Sequence, residues 1–253
     1  MARYRILDAH CHLHEYSDEE IEKEIANLGI AVIAVSDDAQ SSRRTLELAE
    51  RYSWVIPALG LHPWEVEPDR ISEVDEIIEL VRSYRVRILG EIGLDKRFRR
   101  ETYMYQLEVF KRFLEVAKEM DLAMTLHCVD AWREVLDLVS RASVRVAVFH
   151  WYTGPVELLQ EIKDRGFYIS INPAIVVQDK HKLIAKHAPE DIMLVESDGP
   201  YNYRGTRLGP HLIDRAIEEI ARVRNDDPEN VRRIIVENSR RFLKEIGIAL
   251  DIG

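Results

Sequence analysis

The segment Asp8-Ala9-His10-Cys11-His12 places two histidines two residues apart at the end of a short apolar run. In an extended segment, residues two apart project to the same side, so His10 and His12 can offer imidazole nitrogens to one ion. Asp8 shares their parity and can support a ligand from behind. Cys11 has the opposite parity and is expected to pack away. Alone, a His-x-His pair reads equally well as polar residues at a strand end. Repetition changes that. Gly60-Leu61-His62-Pro63, Gly90-Glu91-Ile92-Gly93-Leu94-Asp95, His127, His150 and Glu196-Ser197-Asp198-Gly199-Pro200 each close a further apolar run. Histidine, Glu and Asp without paired cysteines suit Zn, Mn or related divalent ions, with Mg at oxygen-rich positions. One carboxylate can bridge two ions about 3.5–4 Å apart, which together activate a water and polarise a phosphoryl or carbonyl oxygen. Glu91 lies between the two histidine groups in strand order and is the expected bridge.

The elements that must position these residues alternate along the whole chain. Short β-branched runs occur at Tyr4–Leu7, Ala31–Ser36, Val55–Leu61, Arg87–Gly90, Ala123–Leu126, Val144–Phe149, Phe167–Ile171 and Ile192–Glu196. Several are apolar almost throughout, as strands covered on both faces are. Helical patterns fall at Ser17–Leu28, Glu101–Met120, Ala131–Ser140, Pro155–Asp164, Gln178–Lys186, Pro210–Arg222 and Pro228–Ile246. Eight strands alternating with helices predict an α/β fold, a single (β/α)8 TIM-type barrel over residues 1–253. A doubly wound open sheet gives much of the same alternation, but no G-x-G-x-x-G follows the first strand. In a parallel barrel every strand's carboxyl end lies on one face, which is where active sites sit.

Composition narrows the class. The 253 residues carry a formal net charge of -10, are 46% hydrophobic and include only two cysteines. Two cysteines argue against a disulfide framework and suit a reducing, cytoplasmic setting. No apolar run approaches the ~20 residues of a membrane span, and the His-rich motif begins too early to leave room for a signal peptide. Global acidity argues against non-specific coating of nucleic acid but leaves local basic clusters free to handle phosphate.

Taken together, the landmarks resemble the TatD-like metal-dependent hydrolases, within the wider amidohydrolase-type barrels. The match runs from Asp8 to about Phe242 and includes Phe149-His150-Trp151-Tyr152-Thr153-Gly154 and the closing Asn238-Ser239-Arg240-Arg241-Phe242. The resemblance implies a TIM-type barrel, one or two divalent ions (Mg, Mn or Zn) and phosphoester hydrolysis, often of DNA. It implies that His10, His12, Glu91 and Asp198 hold one ion, and that Glu91, His127 and His150 hold the second. Asp198 would also orient or deprotonate the attacking water, His62 would contact substrate or a metal-bound group, and Glu196 would be a supporting carboxylate.

The chain departs from the family where substrate binds. His127-Cys128-Val129 lacks the Arg many members carry two residues after that histidine, Leu208-Gly209-Pro210 stands where Asn-Glu-Pro is frequent, and Trp151-Tyr152 is unusual. Substrate contacts are expected from Lys96, Arg97, Arg204, Arg207 and Trp151, because cations beside a metal site in an acidic protein fit a phosphate. Arg99 and Arg100 extend the first cationic run, and Trp64, Tyr152, Tyr201 and Tyr203 can stack on bases. His14, His181, His187 and His211 lie outside the strand-end pattern and are read as solvated or structural. Two other readings stay open: hydrolysis of an amide or lactone or deamination of a nucleobase, and a non-catalytic nucleic-acid-binding barrel. Oligomeric state is not legible.

Overall fold

The computed structural model describes residues 3–253. Among them, eight parallel strands follow one another in a single sheet in chain order. They are β1 (Ile6–Cys11), β2 (Ile30–Ala34), β3 (Val55–Leu59), β4 (Ile88–Asp95), β5 (Ala123–Val129), β6 (Ala147–Phe149), β7 (Tyr168–Ile171) and β8 (Met193–Val195). Neighbours in sequence are neighbours in space, which right-handed crossovers through helices permit. The ring closes between β8 and β1 through the segment just past β8. There Asp198 N–H donates to the His10 carbonyl (2.9 Å), His12 N–H donates to the Gly199 carbonyl (2.9 Å), and Ser197 N–H donates to Asp8 Oδ1 (2.8 Å). The last strand is therefore docked onto the first through the residues that carry the site.

Every strand is followed by a helical segment. Asp18–Glu20 runs into a wider turn at Ile21–Ile25 after β1, and the remaining crossovers use α1 (Ala39–Arg51), α2 (Glu73–Tyr84), α3 (Tyr103–Met120), α4 (Trp132–Arg141), α5 (Leu159–Asp164), α6 (Asp179–His187) and α7 (Ile213–Arg224), with α8 (Pro228–Glu245) last. Ser17 caps the first of these with a reciprocal Ser17–Glu20 box, which satisfies amide groups that have no partner inside the helix. α3 shows the packing logic. Val109, Phe110, Phe113, Leu114, Val116 and Ala117 are buried against the sheet, each large side chain contributing about 1.5–3 kcal/mol. Asn238 on α8 donates to the carbonyls of Glu190 (2.7 Å) and Met193 (2.8 Å). It thus fastens the last helix to the entrance of β8, while Phe242 one turn on is buried.

The sequence reading leaves α1 and α2 unassigned. The buried face of α1 includes Ser41, Ser42 and Thr45, so its apolar period is faint. α2 has Val74, Ile77, Ile78 and Val81 at helical spacing. β4 is longer than its expected four residues and reaches Asp95. That extension carries Gly93 beside His127 in register. A Cβ on Gly93, whose φ is +149°, would lie 2.0 Å from the His127 carbonyl oxygen, a backbone atom that cannot step aside. Gly166 also has positive φ (+76°) but faces open space.

Gly93→Ala is therefore expected to lower the unfolding free energy in urea by roughly 2–4 kcal/mol, from overlap plus backbone strain. Gly166→Ala is expected to cost only about 1–2 kcal/mol, from the left-handed backbone alone. Equal losses would mean that the close approach to β5 does not matter.

Candidate metal centre

Glu91 ends up fully buried at the centre of a ring of imidazoles. Its Oε2 lies 3.0 Å from His10 Nε2 and 3.2 Å from His12 Nε2. Its Oε1 lies 2.7 Å from His127 Nδ1, 2.9 Å from His150 Nε2 and 3.2 Å from His62 Nε2. Asp198 Oδ1 sits 3.7 Å from the inner nitrogens of both His10 and His12. Six strand ends thus contribute to one cluster, as residues at the carboxyl ends of parallel strands can. Asp198 itself has φ +51°, a left-handed conformation that the hydrogen bond from its amide to β1 helps to hold. Such strain gathers at functional sites.

The outer nitrogen of four of these imidazoles also faces an acceptor. His10 Nδ1 pairs with the Thr125 hydroxyl (2.9 Å) and His127 Nε2 with Asp95 Oδ2 (3.2 Å). His12 Nδ1 lies 3.0 Å from Asp37 Oδ1, and His150 Nδ1 3.5 Å from Glu196 Oε1. A neutral imidazole has one N–H and cannot donate in both directions. Protons must therefore accumulate, or a cation must take the inner position. Burial opposes charge on His12, yet Asp37, Asp198 and Glu91 hold it well above the usual imidazole range. Burial is likewise outweighed at His150, by Glu91 and Glu196, and at His127, by Asp95 and Glu91. His10 is the exception: burial and the charge of His150 lower it, so it presents a neutral lone pair. Burial also opposes charge on Glu91, but His150, His62 and His10 keep its carboxyl well below the carboxylate range. Positive charge is wanted where the inner nitrogens converge. With a cation there, each of these four imidazoles needs only its outward N–H. The donor set is nitrogen and carboxylate oxygen, so the residues fit one or two ions of Zn, Mn or Mg. The groupings His10–His12–Asp198 and His62–Glu91–His127 each bring their ligand atoms within 4.8 Å of one another.

His62 differs from the other four. Its Nδ1 accepts the Trp64 amide N–H (3.1 Å), so the neutral ring carries its proton on Nε2. It therefore donates where the others offer a lone pair.

Of the outer carboxylates, the sequence pattern missed Asp95 and Asp37, while Glu196 and Asp8 were expected as supports. Asp95 accepts from His127, the Trp64 indole (2.6 Å) and the amides of Arg97 and Phe98. Burial raises its pKa, but the His127 and Phe98 bonds more than reverse this. Asp37 touches both His12 and, at 3.0 Å, His14 Nε2, whose Nδ1 meets the Val35 carbonyl at 3.0 Å. Glu196 accepts from the Trp151 amide (2.8 Å) and the Ser170 hydroxyl as well as standing behind His150. Asp8 is buried, with its carboxyl pushed up to about 8 chiefly by burial. Cys11 is buried and points to the Gly199 carbonyl. Of the set-aside histidines, His187 and His211 are exposed. His181 is fully buried, its pKa lowered to about 4 by that burial.

The cluster floors a cleft of about 410 Å³, lined also by Trp64, Arg97, Phe98, Trp151, Tyr201 and Tyr203. Of the five residues expected to touch substrate, Arg97 and Trp151 line it. Arg97 forms a two-point pair with Asp130 (2.8 and 2.9 Å). Lys96 turns to Glu134 and the Tyr103 ring, Arg204 to the Val177 carbonyl, and Arg207 to Glu20. Tyr152 is buried in the wall, its hydroxyl bonded to the Pro155 carbonyl.

Residues 7–244 match the model of the family described as TatD related DNase. A metal-dependent hydrolase of Methanocaldococcus jannaschii is 30% identical over 253 residues, spanning 96% of this chain and 99% of that protein. Deoxyribonuclease TATDN3 of Homo sapiens is 26% identical, spanning 95% of each. In fold, the chain superimposes on a TatD homologue, YjjV of Escherichia coli, with a TM-score of 0.82 at 23% identity, covering 94% of this chain and 97% of that one. With a buried carboxylate ringed by histidines at the mouth of a parallel barrel, and a family match across nearly its whole length, the chain belongs to the TatD family of metal-dependent hydrolases.

Proposed function

We propose that this hydrolase is a phosphodiesterase acting on DNA. The observation that carries the reading is the division of the histidines between the two oxygens of Glu91, with Asp198 beside one group. His10, His12, Glu91 and Asp198 would hold one ion, and Glu91, His127 and His150 a second. Ions bound in this way lower the pKa of a water and stabilise charge on a phosphoryl oxygen. Asp198 orients the attacking water and accepts its proton. The water oxygen bonds to phosphorus as the bond to the leaving oxygen breaks. His62, protonated on Nε2, donates to a phosphoryl oxygen, held in that tautomer by the Trp64 amide. Arg97 and Trp151 border the path of the strand, and the name of the human relative supports DNA as the substrate. The chain lacks an Arg after His127, so amides and lactones are the alternative substrates. Among the described residues no helix is long and apolar enough to cross a membrane.

The deciding experiment is cleavage of end-labelled single-stranded DNA by chelator-treated protein resupplied with Mg, Mn or Zn. Wild type should recover cleavage, and His10→Ala should lose it by about a hundred-fold or more while remaining folded. Metal binding without cleavage of any phosphodiester would defeat the reading and point to an amide or lactone.

Two further outcomes follow from the outer acceptors. Asp95→Asn should weaken metal affinity by roughly 10- to 100-fold by loosening His127, read by calorimetric titration. An unchanged affinity would remove Asp95 from the site. The raised pKa values of His12, His127 and His150 set the pH dependence. In metal-free protein, groups raised by folding contribute stability that is full below the unfolded imidazole pKa and lost as pH rises through the folded values. Metal binding must displace those protons, so affinity rises over the same range. The difference in Tm between metal-loaded and chelated protein should therefore widen from pH 6 upward; a constant difference would contradict this account.

A further inference from the structure

The cleft has aromatic walls on two sides, and each is held rigidly. On one side Trp64, just past β3, donates its indole N–H to Asp95 Oδ2 (2.6 Å), while its carbonyl accepts from Arg99 (2.7 Å). Phe98, just past β4, meets it edge-on at 6.0 Å and is 61% exposed. On the other side Trp151, just past β6, donates its indole N–H to Gln178 Oε1 (2.8 Å), and its backbone N–H is held by Glu196. Gln178 in turn donates to the Tyr203 hydroxyl (3.1 Å). Tyr203 and Tyr201, past β8, meet Trp151 edge-on at 5.2 and 5.9 Å. In a ring of eight strands, β4 and β8 are four apart, so Phe98 and the two tyrosines start from opposite sides of the barrel mouth.

Three features of these walls bear on what they face. No two of these side chains lie flat on each other, since the ring contacts named are all steep. Both indoles are tethered at nitrogen, so engaging a planar group costs little side-chain ordering. The tethers also tie the walls to the floor: Asp95 holds both Trp64 and His127, and Glu196 stands behind both Trp151 and His150. A ligand that suits this cleft has an anionic centre for the cation-binding floor and an uncharged planar group on each side. We propose that the Trp64–Phe98 and Trp151–Tyr203 walls are two base-stacking subsites that bracket the scissile phosphate, so that the strand is gripped by two unpaired bases. This rests on the phosphodiesterase reading and adds to it how substrate is selected. The selection is by ring area rather than by base identity, because every base offers a π-face. A duplex, whose bases are already stacked and paired, cannot engage both walls without opening.

The test compares metal-loaded protein binding two uncleavable trinucleotides whose linkages carry a methylene group in place of the leaving oxygen and keep their negative charge, one with bases and one built of abasic tetrahydrofuran units. The readout is the ratio of the two affinities, so a general loss of binding cancels. Stacking on two walls should give wild type a preference of roughly 5- to 150-fold per engaged base. Trp64→Leu and Trp151→Leu should each remove about one base's share of that ratio. Trp64→Phe and Trp151→Phe, which lose the tether but keep a ring, should retain most of it. A wild-type ratio near one, or Phe variants that fail as completely as the Leu variants, would overturn the subsites. The trinucleotides cannot be hydrolysed, so this outcome is independent of whether DNA is cleaved. A based ligand preferred by an enzyme that cleaves no phosphodiester would refute the proposed activity and leave the walls standing.

Discussion

Everything at the mouth of this barrel is arranged around one buried carboxylate that has more nitrogen neighbours than its own charge can balance. Glu91 faces His10 and His12 with one oxygen and His62, His127 and His150 with the other. Four of those rings have a second acceptor on the far side, in Thr125, Asp37, Asp95 or Glu196. A buried charge is tolerated only when paired, and a buried imidazole between two acceptors needs a proton it does not ordinarily hold. The common solution is positive charge at the centre. The outer acceptors fix which nitrogen turns inward, and the barrel fixes where each ring begins.

That constraint explains how the scaffold is built near the site. β4 continues past its pairing with β3 and stays alongside β5 as far as Asp95, so that one strand supplies both the central carboxylate and the support for His127. The extension brings the two backbones so close that position 93 has no room for a side chain. On the other flank, the β8 segment is pinned from two directions. Asn238 holds its entrance and the hydrogen bonds to His10 and His12 hold its exit. Asp198 therefore keeps an unfavourable backbone angle in a place where it has little freedom to relax.

The barrel was legible because parallel strands buried on both faces leave continuous apolar runs, and the strand-end histidines because they break those runs with ligand chemistry. His10 and His12 could be paired from parity alone. Legibility stopped where partners are distant in sequence. Asp37 sits past β2 and Asp95 at the end of a strand read as ending at Gly90, so neither stood out as a support for a histidine. The cations were misleading for the opposite reason: Lys96, Arg204 and Arg207 follow the right motifs, but each has a nearer partner than the cleft. Local clustering of charge says nothing about such competition. α1 was hidden because serines and threonine occupy its inner face.

The seam between β8 and β1 has a consequence for the order in which the candidate metal centre is assembled. His10 and His12 leave the ribosome early, whereas Asp198 and the Asn238 latch are made late. Because the two groups are brought together where the ring closes, a nascent chain holds part of the cluster without its geometry. Domains fold largely as units during synthesis, and here the closing contact of the unit is also the one that completes the candidate metal centre. The same seam that makes the barrel a barrel thus couples closure of the fold to assembly of the histidine–carboxylate cluster.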